Sequence, residues 1–543
     1  MWKPSSIKAP RAKRGRLVSV TGIPKKSGLV WALIGLCFVS FHSLASPVDV
    51  VVYGATAGGT MAAIAAAQQG ASVVLLEPRN HVGGMLSGGL GRTDMDRQEN
   101  VIGGLALEFF RRAGKHYGQE VAWMFEPHVA EGILKEMLAE QKVPVKFGQA
   151  LASIDETDGR IRSLKTTDGT EYSAKVFIDA TYEGDLMKAA GVSYKVGREG
   201  RDTYGESLAG RRDLLRSNHQ INYPISPWKD GKLLPHITAE EDLAATGAGD
   251  GKFQAYNFRL CLTNVEANRI PITKPEGYDP ARYELLRRCI EVGGEKVDRI
   301  LGIKPMPNGK SDVNAGYPIS LNLPGANQDY PDGSPERRKE IWKQHLDWAH
   351  GLVYFVQNDP SVPQNVREKY SQWGLCKDEF TDTGGWPHQL YIREARKMKG
   401  EYLLTQHDLM TDRRKNDAIG MAGYNIDIRE VQWVSMRTFF FPKAEDQVYM
   451  EGYVSQPVEP WDIPYRALLP KFGECQNLLV PVCISASTIA FASFRMEPQF
   501  MIAGQAAGTA AAMAAKSGIP VHNVPIDELQ KNLAAAGQIL RAP

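Results

Sequence analysis

The chain has 543 residues, of which 43% are hydrophobic and 23% are charged, an ordinary composition for a globular enzyme of two to four domains. The net charge is +2, but residues 1–45 hold eight lysines and arginines and no acid, so the rest of the chain carries −6. A mildly acidic body gives no reason to expect a nucleic-acid partner.

The first 45 residues have the organisation of an export signal. A basic stretch precedes an apolar run at 29–41, and Ser43-Leu44-Ala45 follows as a small-x-small cleavage site. The apolar run is short for a membrane span. We therefore expect a cleaved signal over 1–45, a secreted or periplasmic protein, and no stable membrane span after cleavage. The alternative is an uncleaved N-terminal anchor.

Residues 49–78 predict a strand, a glycine-rich turn, a helix and a second strand. The β-branched run at 50–52 is typical of a buried parallel strand, and the alanine-rich segment 58–69 predicts a helix that ends at Gly70. An acid follows the second strand about 20 residues after the glycines, where an acceptor for a ribose hydroxyl is expected. The helix start offers free amides to a pyrophosphate. The predicted dinucleotide contacts are Gly54, Thr56, Gly58, Gly59 and Glu77. The alternative is a glycine-rich turn in an ordinary parallel sheet.

A second glycine cluster favours FAD over NAD. Gly83, Gly84 and Met85 come directly after the second strand, where a glycine pair lets the backbone approach a long, extended cofactor. We expect these three residues to contact FAD.

The following segment predicts a β-meander. Helices are expected at 102–118 and 127–142, and two Asp-Gly turns separate strands at 147–155, 160–167 and 170–178. The third strand ends in Ala180 and Thr181, small residues that bring the backbone close to the cofactor. Asp185 follows as an acceptor for a ribityl hydroxyl, as a helix N-cap, or as both.

Residues 201–455 differ in composition, being rich in Trp, Tyr, Pro, Arg and Asp. They predict an inserted α+β substrate domain with helices near 281–292, 335–357 and 388–404. No metal-ligand spacing stands out, and no metal is expected. The five scattered cysteines after residue 45 are interpreted as buried thiols, with a Cys475–Cys483 bridge as the alternative.

The C-terminal part returns to the first pattern, with a strand at 477–483, a loop at 485–494 and a helix from Arg495 to about 516. Pro498 suits its first turn. The helix start, with Arg495 and Pro498, is expected to contact FAD and to stabilise the negative charge of the reduced flavin. The alternative is one more core helix. The predicted division is a signal at 1–45, an FAD-binding domain at 46–200 and 456–530, the inserted domain at 201–455, and a tail at 531–543.

A series of motifs in chain order extends the argument to the whole mature chain. They are Tyr53-Gly-Ala-Thr-Ala-Gly-Gly59, Gly83-Gly-Met85, Ile178-Asp-Ala-Thr-Tyr-Glu-Gly-Asp185, Gly197-Arg-Glu199, Tyr204-Gly-Glu-Ser207, Tyr256-Asn-Phe-Arg259, Lys310-Ser-Asp-Val-Asn314, Tyr391-Ile-Arg-Glu-Ala-Arg396, Ile463-Pro-Tyr-Arg466 and Arg495-Met-Glu-Pro498. Together they resemble a family of secreted bacterial FAD-dependent oxidoreductases, some of which carry xanthan-lyase-like names. The resemblance implies an α/β fold: a Rossmann-like FAD-binding domain of the glutathione-reductase type with a β-meander, and an inserted α+β domain.

Two departures from the family's pattern affect the expected chemistry. Arg429 and Thr488 stand where the family usually has histidines, which removes the natural general bases. The candidate catalytic residues are Arg393, Arg396, Arg429, Thr488 and Arg495. Arginines clustered over a flavin bind carboxylates or support an anionic flavin, and the alternative is structural ion pairs. Arg393 and Arg396 are expected to share one face of a helix.

The sequence thus predicts an exported FAD-dependent oxidoreductase that takes a hydride from a small organic or carbohydrate-like substrate and passes electrons to an unknown acceptor. Two alternatives stay open. One is a non-redox FAD-containing lyase or isomerase, and the other is an FAD-bound protein that has lost catalysis.

Overall fold

The computed structural model describes residues 45–93, 98–214, 220–293, 299–316, 319–440 and 443–541. Residues 1–44 of the expected export signal lie outside the described residues. The described residues cluster as one unit. The division into an FAD-binding domain and an inserted domain therefore stays a prediction.

The central sheet has seven strands, and its N-terminal part follows the predicted pattern. Six of its strands have the order β3-β2-β1-β6-β5-β4. The seventh, from the C-terminal region, lies off this path and pairs with β6. β1, β2, β3 and the C-terminal half of β6 run parallel, whereas β4 and β5 are antiparallel. The strands are β1 (Val48–Tyr53), β2 (Val73–Leu76), β3 (Val145–Lys146), β4 (Leu151–Thr157), β5 (Arg160–Thr166) and β6 (Glu171–Asp179).

β6 joins the meander to the parallel sheet. Its first residues pair with β5, and its last residues pair with β1, with Ile178 opposite Val52. One nine-residue strand thus completes the predicted meander and carries the chain back beside the glycine-rich turn. The helices of this region are α1 (Ala57–Gln68), α2 (Gly104–His116) and α3 (Pro127–Glu140), close to the predicted bounds.

The middle region is built mainly by antiparallel pairing between distant segments. Its largest sheet has the order β12-β15-β11-β14-β13. The strands are β7 (Tyr194–Val196), β8 (Trp228–Lys229), β9 (Lys232–Leu233), β10 (Ile237–Thr238), β11 (Leu260–Thr263), β12 (Arg269–Ile270), β13 (Leu301–Pro305), β14 (Lys310–Ala315), β15 (Gly374–Cys376), β16 (Arg396–Met398), β17 (Ala418–Ala422), β18 (Ile426–Ile428), β19 (Gln432–Phe440), β20 (Lys443–Glu451), β21 (Val454–Gln456) and β22 (Trp461–Pro464). The helices are α4 (Asp185–Ala189), α5 (Arg201–Tyr204), α6 (Glu284–Gly293), α7 (Pro335–Asn358), α8 (Gln364–Ser371) and α9 (Gln406–Met410).

The helix predicted at 388–404 is wrong. Tyr391 forms an isolated bridge with Asn257, and β16 pairs antiparallel with β7, placing Arg396 opposite Val196. The segment is extended because its backbone hydrogen bonds go to distant strands instead of its own turns. Arg393 and Arg396 therefore do not share a helix face.

The C-terminal region supplies β23 (Leu478–Leu479), α10 (Thr488–Phe494), α11 (Glu497–Ser517) and α12 (Ile526–Ala535). The loop predicted at 485–494 is wrong, because the Ser487 hydroxyl accepts from the amide of Ala490 at 3.1 Å and caps α10. α12 crosses the predicted boundary at 530. Cys475 and Cys483 are both free and buried, so the alternative of a bridge between them is wrong.

α1 and α11 pack with their backbones in close contact. A Cβ added to Gly58 would lie 2.9 Å from the carbonyl oxygen of Phe500, and one added to Gly504 would collide with the carbonyl of Gly58. The alanines and glycines of both helices make this approach possible. It fixes the start of α11 beside the start of α1, where the dinucleotide is expected.

Candidate active site

The turn between β1 and α1 is held in a shape that only glycine permits at two positions. Gly54 has φ +98°, and a Cβ there would lie 2.8 Å from the amide of Thr181. A Cβ on Gly59 would lie 1.9 Å from the carbonyl oxygen of Gly54. Thr56, at the middle glycine position of the fingerprint, is the N-cap of α1. Its hydroxyl accepts from Gly59 N at 3.2 Å and donates to Ala180 O at 2.7 Å, so it also ties this turn to the end of β6.

Glu77 lies where the sequence placed it, at the end of β2 beside this turn. Its side chain is 7% exposed and accepts from the amides of Ala55 and Arg79 at 2.7 and 2.9 Å. Burial raises the pKa of Glu77, although the Arg79 charge and the two amides act in the opposite direction. The carboxylate is thus held in one orientation, with acceptor capacity left for a ribose hydroxyl.

The second glycine cluster packs directly against the first. Gly83 N donates to Ala55 O at 2.7 Å, and Thr56 and Gly83 form a parallel bridge. Gly84 has φ +55°, and a Cβ there would strike the Tyr182 hydroxyl. That hydroxyl accepts from the amide of Met85 at 2.9 Å.

These segments line a partly open cavity, whose empty space is about 420 Å³ when the solvent at its mouth is included. It is lined by residues of both glycine clusters, by Glu77, by residues that follow β6 and by two histidines. The full lining is Gly54, Thr56, Glu77, Pro78, Arg79, His81, Gly84, Thr181, Tyr182, Glu183, His388 and Gln389. A Cβ at Gly54 or Gly84 would strike Thr181 or Tyr182, which line the same cavity. The donor amides, the acid and the glycine-lined walls fit an extended dinucleotide.

Asp185 lies close to this region, but arginines take up its carboxylate. Arg338 donates to both oxygens at 2.7 and 2.9 Å, and Arg396 donates to one of them at 2.8 Å. Although burial acts to raise it, these charges lower the pKa of Asp185. Asp185 is the first residue of α4 and Gly184 is its N-cap, so the N-cap role expected for Asp185 is wrong. Its ribityl contact stays a prediction.

Arg396 is a structural residue in this arrangement. Its side chain is 1% exposed and is also held by Asp332, by the carbonyl of Glu183 and by that of Pro331. The structure therefore separates Arg396 from the other candidate arginines, and the alternative of an ion pair describes it.

Two of the other candidates, Arg393 and Arg495, meet around Tyr391, and Arg429 is close enough for its charge to act on Arg393. We call Tyr391, Arg393, Arg429 and Arg495 the arginine cluster. The guanidinium carbon of Arg393 is 4.5 Å from the centre of the Tyr391 ring, and that of Arg495 is 6.0 Å from it. Arg495 donates to the Tyr391 hydroxyl at 2.9 Å and to the Asp427 carboxylate at 2.8 Å. Burial lowers the pKa of Arg393 to about 9, and the charges of Arg495 and Arg429 act in the same direction.

Thr488 is held by residues outside the arginine cluster. Its hydroxyl donates to Gly197 O at 3.1 Å, and its amide donates to Glu199 at 3.0 Å. It lines a second cavity of about 320 Å³ together with Gln254 and Ile428. Gln254 also accepts from the amide of Arg429 at 3.2 Å, so this cavity adjoins the backbone of the cluster, although neither of these Thr488 hydrogen bonds goes to another catalytic candidate.

Glu497, at the first residue of α11, is a buried acid that the sequence argument did not select. Its carboxyl accepts from the Tyr182 hydroxyl at 2.7 Å, and its other oxygen is buried with no hydrogen-bond partner. Burial raises the pKa of Glu497 to about 8. Through Tyr182, this group connects to the wall of the dinucleotide cavity. It escaped selection because an acid in a first helical turn is also expected as a complement to the helix dipole.

Two groups of histidines and carboxylates are present among the described residues, although no metal site was expected: His81, Glu131 and His388, and Glu126, His128 and Glu379. The Lys310 ammonium lies 2.7 Å from both Glu126 and Glu379, so the second group already surrounds a cation. In the first group the two imidazole rings stack at 3.7 Å. His81 bonds Glu131 at 3.2 Å, which raises its pKa, whereas burial lowers the pKa of His388 to about 4.

Arg259 and Asp312, which also lie in the family motifs, form a buried bidentate ion pair. Within the part of the chain that the structure describes, no helix has the length and apolar character to cross a membrane.

The fold and the dinucleotide cavity define an α/β flavoprotein with a Rossmann-like FAD-binding fold. The chain belongs to the FAD dependent oxidoreductase family, whose model matches residues 49–533. FAD is therefore the cofactor, and the prediction of FAD over NAD is confirmed.

Several solved flavoproteins are similar to parts of the chain. A flavoprotein/dehydrogenase from Cytophaga hutchinsonii is 20% identical over 27% of this chain and 42% of that one, with a TM-score of 0.21. A flavin-containing monooxygenase from Stenotrophomonas maltophilia is 18% identical over 30% and 44%, with a TM-score of 0.20. A geranylgeranyl bacteriochlorophyll reductase-like protein from Thermoplasma acidophilum is 12% identical over 91% and 85%, with a TM-score of 0.36. The first two matches span less than half of those proteins.

Proposed function

We propose that this protein is an exported FAD-dependent oxidoreductase that takes a hydride from a small organic or carbohydrate-like substrate. The observation that carries the proposal is the continuity between two sites. Gln389 lines the dinucleotide cavity, and Tyr391, two residues further on, is the centre of the arginine cluster. One segment therefore joins the cofactor site to a group of side chains that would suit a polar substrate.

The residues that would hold FAD follow from the cavity. The amides at the start of α1 would bind the pyrophosphate, and Glu77 would accept from a ribose hydroxyl. The glycine pair at 83–84 leaves room for the cofactor between the turn and Tyr182. The positive end of the α11 dipole would favour negative charge close to Arg495.

Bound FAD supplies the hydride acceptor in such a reaction. Oxidation of a substrate alcohol to a carbonyl also releases the hydroxyl proton, so the protein must pass one proton onward. Glu497 and Tyr182 are suited to hold or relay it, since they are hydrogen-bonded to each other at 2.7 Å and Tyr182 lines the cavity. A carboxyl whose pKa is near the working pH is an effective acid or base. Glu497 and Tyr182 would thus carry the substrate's hydroxyl proton in place of the two histidines that the family usually has at positions 429 and 488.

Export is part of the same proposal and rests on the sequence of residues 1–45. A secreted or periplasmic enzyme needs an electron acceptor that is present in the same compartment.

The test is an anaerobic absorption spectrum of the purified mature protein before and after addition of a panel of sugars and hydroxy acids. We expect at least one compound to bleach the flavin band and to be oxidised. Product formation without bleaching would favour the lyase or isomerase alternative. An inert flavin together with unchanged compounds across the panel would favour a protein that has lost catalysis.

A further inference from the structure

We infer that the arginine cluster is a carboxylate-binding site, so that the substrate is a small organic acid or an acidic sugar. The inference rests on the proposed function, because it names the class of substrate that would meet the flavin.

The charges around Tyr391 are unbalanced. The charge of Arg495 acts to lower the pKa of both Arg393 and Arg429, and that of Arg429 acts to lower the pKa of Arg393, so the three lie close together. The carboxylates that face them are Asp427 and Glu430. Asp427 accepts from Arg495 at 2.8 Å, and Glu430 accepts from Arg429 at 3.4 Å. Arg393 donates to two neutral acceptors, the carbonyl of Ala255 and the side chain of Asn322. Arg259 also lies over the Tyr391 ring, at 6.0 Å, but Asp312 neutralises it. Around Tyr391, four positive charges therefore face three negative ones.

The cluster also contains buried donors that the protein leaves unused. The Nε atoms of Arg429 and Arg495 are buried and have no hydrogen-bond partner. A buried guanidinium N–H without an acceptor is unfavourable, and a carboxylate is the acceptor that matches its geometry. The excess charge and the free donors therefore point to the same kind of ligand.

Exposure differs among the side chains of this cluster and its partner Asp427. Arg393 and Arg495 are 3% and 4% exposed, whereas Tyr391, Asp427 and Arg429 are half-buried. Solvent therefore reaches the last three side chains more readily than the first two. Among the three arginines, an anion from solvent would first meet Arg429, whose side chain is 12% exposed.

The position relative to the cofactor suits a substrate. Arg495 lies two residues before α11, whose first turn packs against the start of α1 through Phe500 and Gly58. Tyr391 lies two residues after Gln389, which lines the dinucleotide cavity. A carboxylate held by the cluster would keep the rest of an organic acid within reach of that cavity.

The experiment compares acids with neutral partners of the same size, using the FAD-loaded protein. Isothermal titration measures the binding of acetate, glycolate and galacturonate against acetamide, ethylene glycol and galactose. The test variant is Arg429→Gln, and the control is Arg466→Gln, which removes one equally basic side chain that is 51% exposed and pairs with Asp417 elsewhere. FAD content and melting temperature are recorded for every variant.

We expect at least one acid to bind where its neutral partner does not, with a Kd that Arg429→Gln raises about ten- to a hundredfold and Arg466→Gln leaves unchanged. Binding should also weaken with added salt. The inference is overturned if no acid binds better than its neutral partner, or if Arg429→Gln binds acids as the wild type does. Loss of FAD in Arg429→Gln without a change in acid affinity would also overturn it and would assign the arginines to the flavin. If neutral sugars reduce the flavin equally well in Arg429→Gln, the inference fails while the proposed oxidoreductase stands.

Discussion

Replacing Gly59 with alanine should displace the start of α1 and abolish FAD retention. The added Cβ would lie 1.9 Å from the carbonyl oxygen of Gly54, whereas ordinary contact begins at 3.4 Å, so the helix start would have to move by about 1.5 Å. The neighbouring Gly58 already packs against the carbonyl of Phe500 in α11, which blocks movement away from the turn. Overpacking of this kind costs about 1–3 kcal/mol.

The same displacement would move the amides that face the pyrophosphate. Losing one hydrogen bond to a charged group costs about 1.5–3 kcal/mol, which is about ten- to a hundredfold in affinity. The assay is the ratio of flavin absorption to protein absorption after purification, followed by titration of the apoprotein with FAD.

Gly132 offers a matched control on another helix. It lies inside α3, and a Cβ there would meet no atom within 4 Å. Gly132→Ala should keep full FAD content and gain about 0.5–1 kcal/mol of stability, because alanine favours a helix interior over glycine. If Gly59→Ala purified with full FAD content and wild-type affinity, the reasoning on this turn would be refuted.

Three further predictions concern other residues. Arg396→Gln should lower the free energy of unfolding by about 1–3 kcal/mol, since it removes buried hydrogen bonds to Asp185 and to the carbonyls of Glu183 and Pro331, while Arg338 still holds Asp185; urea unfolding measures this, and unchanged stability would contradict the structural role. Glu497 has a pKa raised to about 8 in the folded protein, so the folded state binds the extra proton and wild-type stability should fall from about pH 5 to pH 8 by up to about 1.4 kcal/mol per pH unit. Glu497→Gln should remove that slope in urea titrations at the two pH values, and an equal slope in both proteins would exclude a raised pKa. Finally, N-terminal sequencing of exported protein should begin close to Ser46, and an intact Met1 on a membrane-bound product would contradict cleavage.

The dinucleotide half of the fold could be predicted because its signals are local. A β-branched strand, a glycine turn, an alanine-rich helix and an acid at a fixed distance are all read within 30 residues, and α1, β2 and Glu77 lie where expected. The meander was equally predictable from two Asp-Gly turns about ten residues apart.

The middle of the chain was less predictable because its pairing is distant in sequence. Arg396 belongs to a strand only because β16 pairs with β7, some 200 residues earlier, and Leu262 pairs with Leu375. Local propensity near 388–404 could not show these partners. The small residues at 485–494 favour a loop, although Ser487 is a good N-cap for a helix.

The candidate site could be predicted only in part, because distant segments of the chain bring its residues together. Motifs suggest Arg393, Arg429 and Arg495, but only the fold shows that Arg393 and Arg495 meet at Tyr391 with Arg429 nearby, while Arg396 joins Asp185. Glu497 lies in the motif Arg495-Met-Glu-Pro498, but the sequence could not show that its side chain is buried against Tyr182.

A single-turnover reaction measures whether the substrate gives its hydride to FAD. The FAD-loaded protein is mixed without oxygen with each sugar and hydroxy acid of the panel, and both the loss of the oxidised flavin band and the oxidised product are quantified. We expect at least one compound to give one equivalent of oxidised product for each FAD reduced. Product that exceeds the reduced flavin without oxygen, or that forms while the flavin stays oxidised, would contradict hydride transfer to FAD.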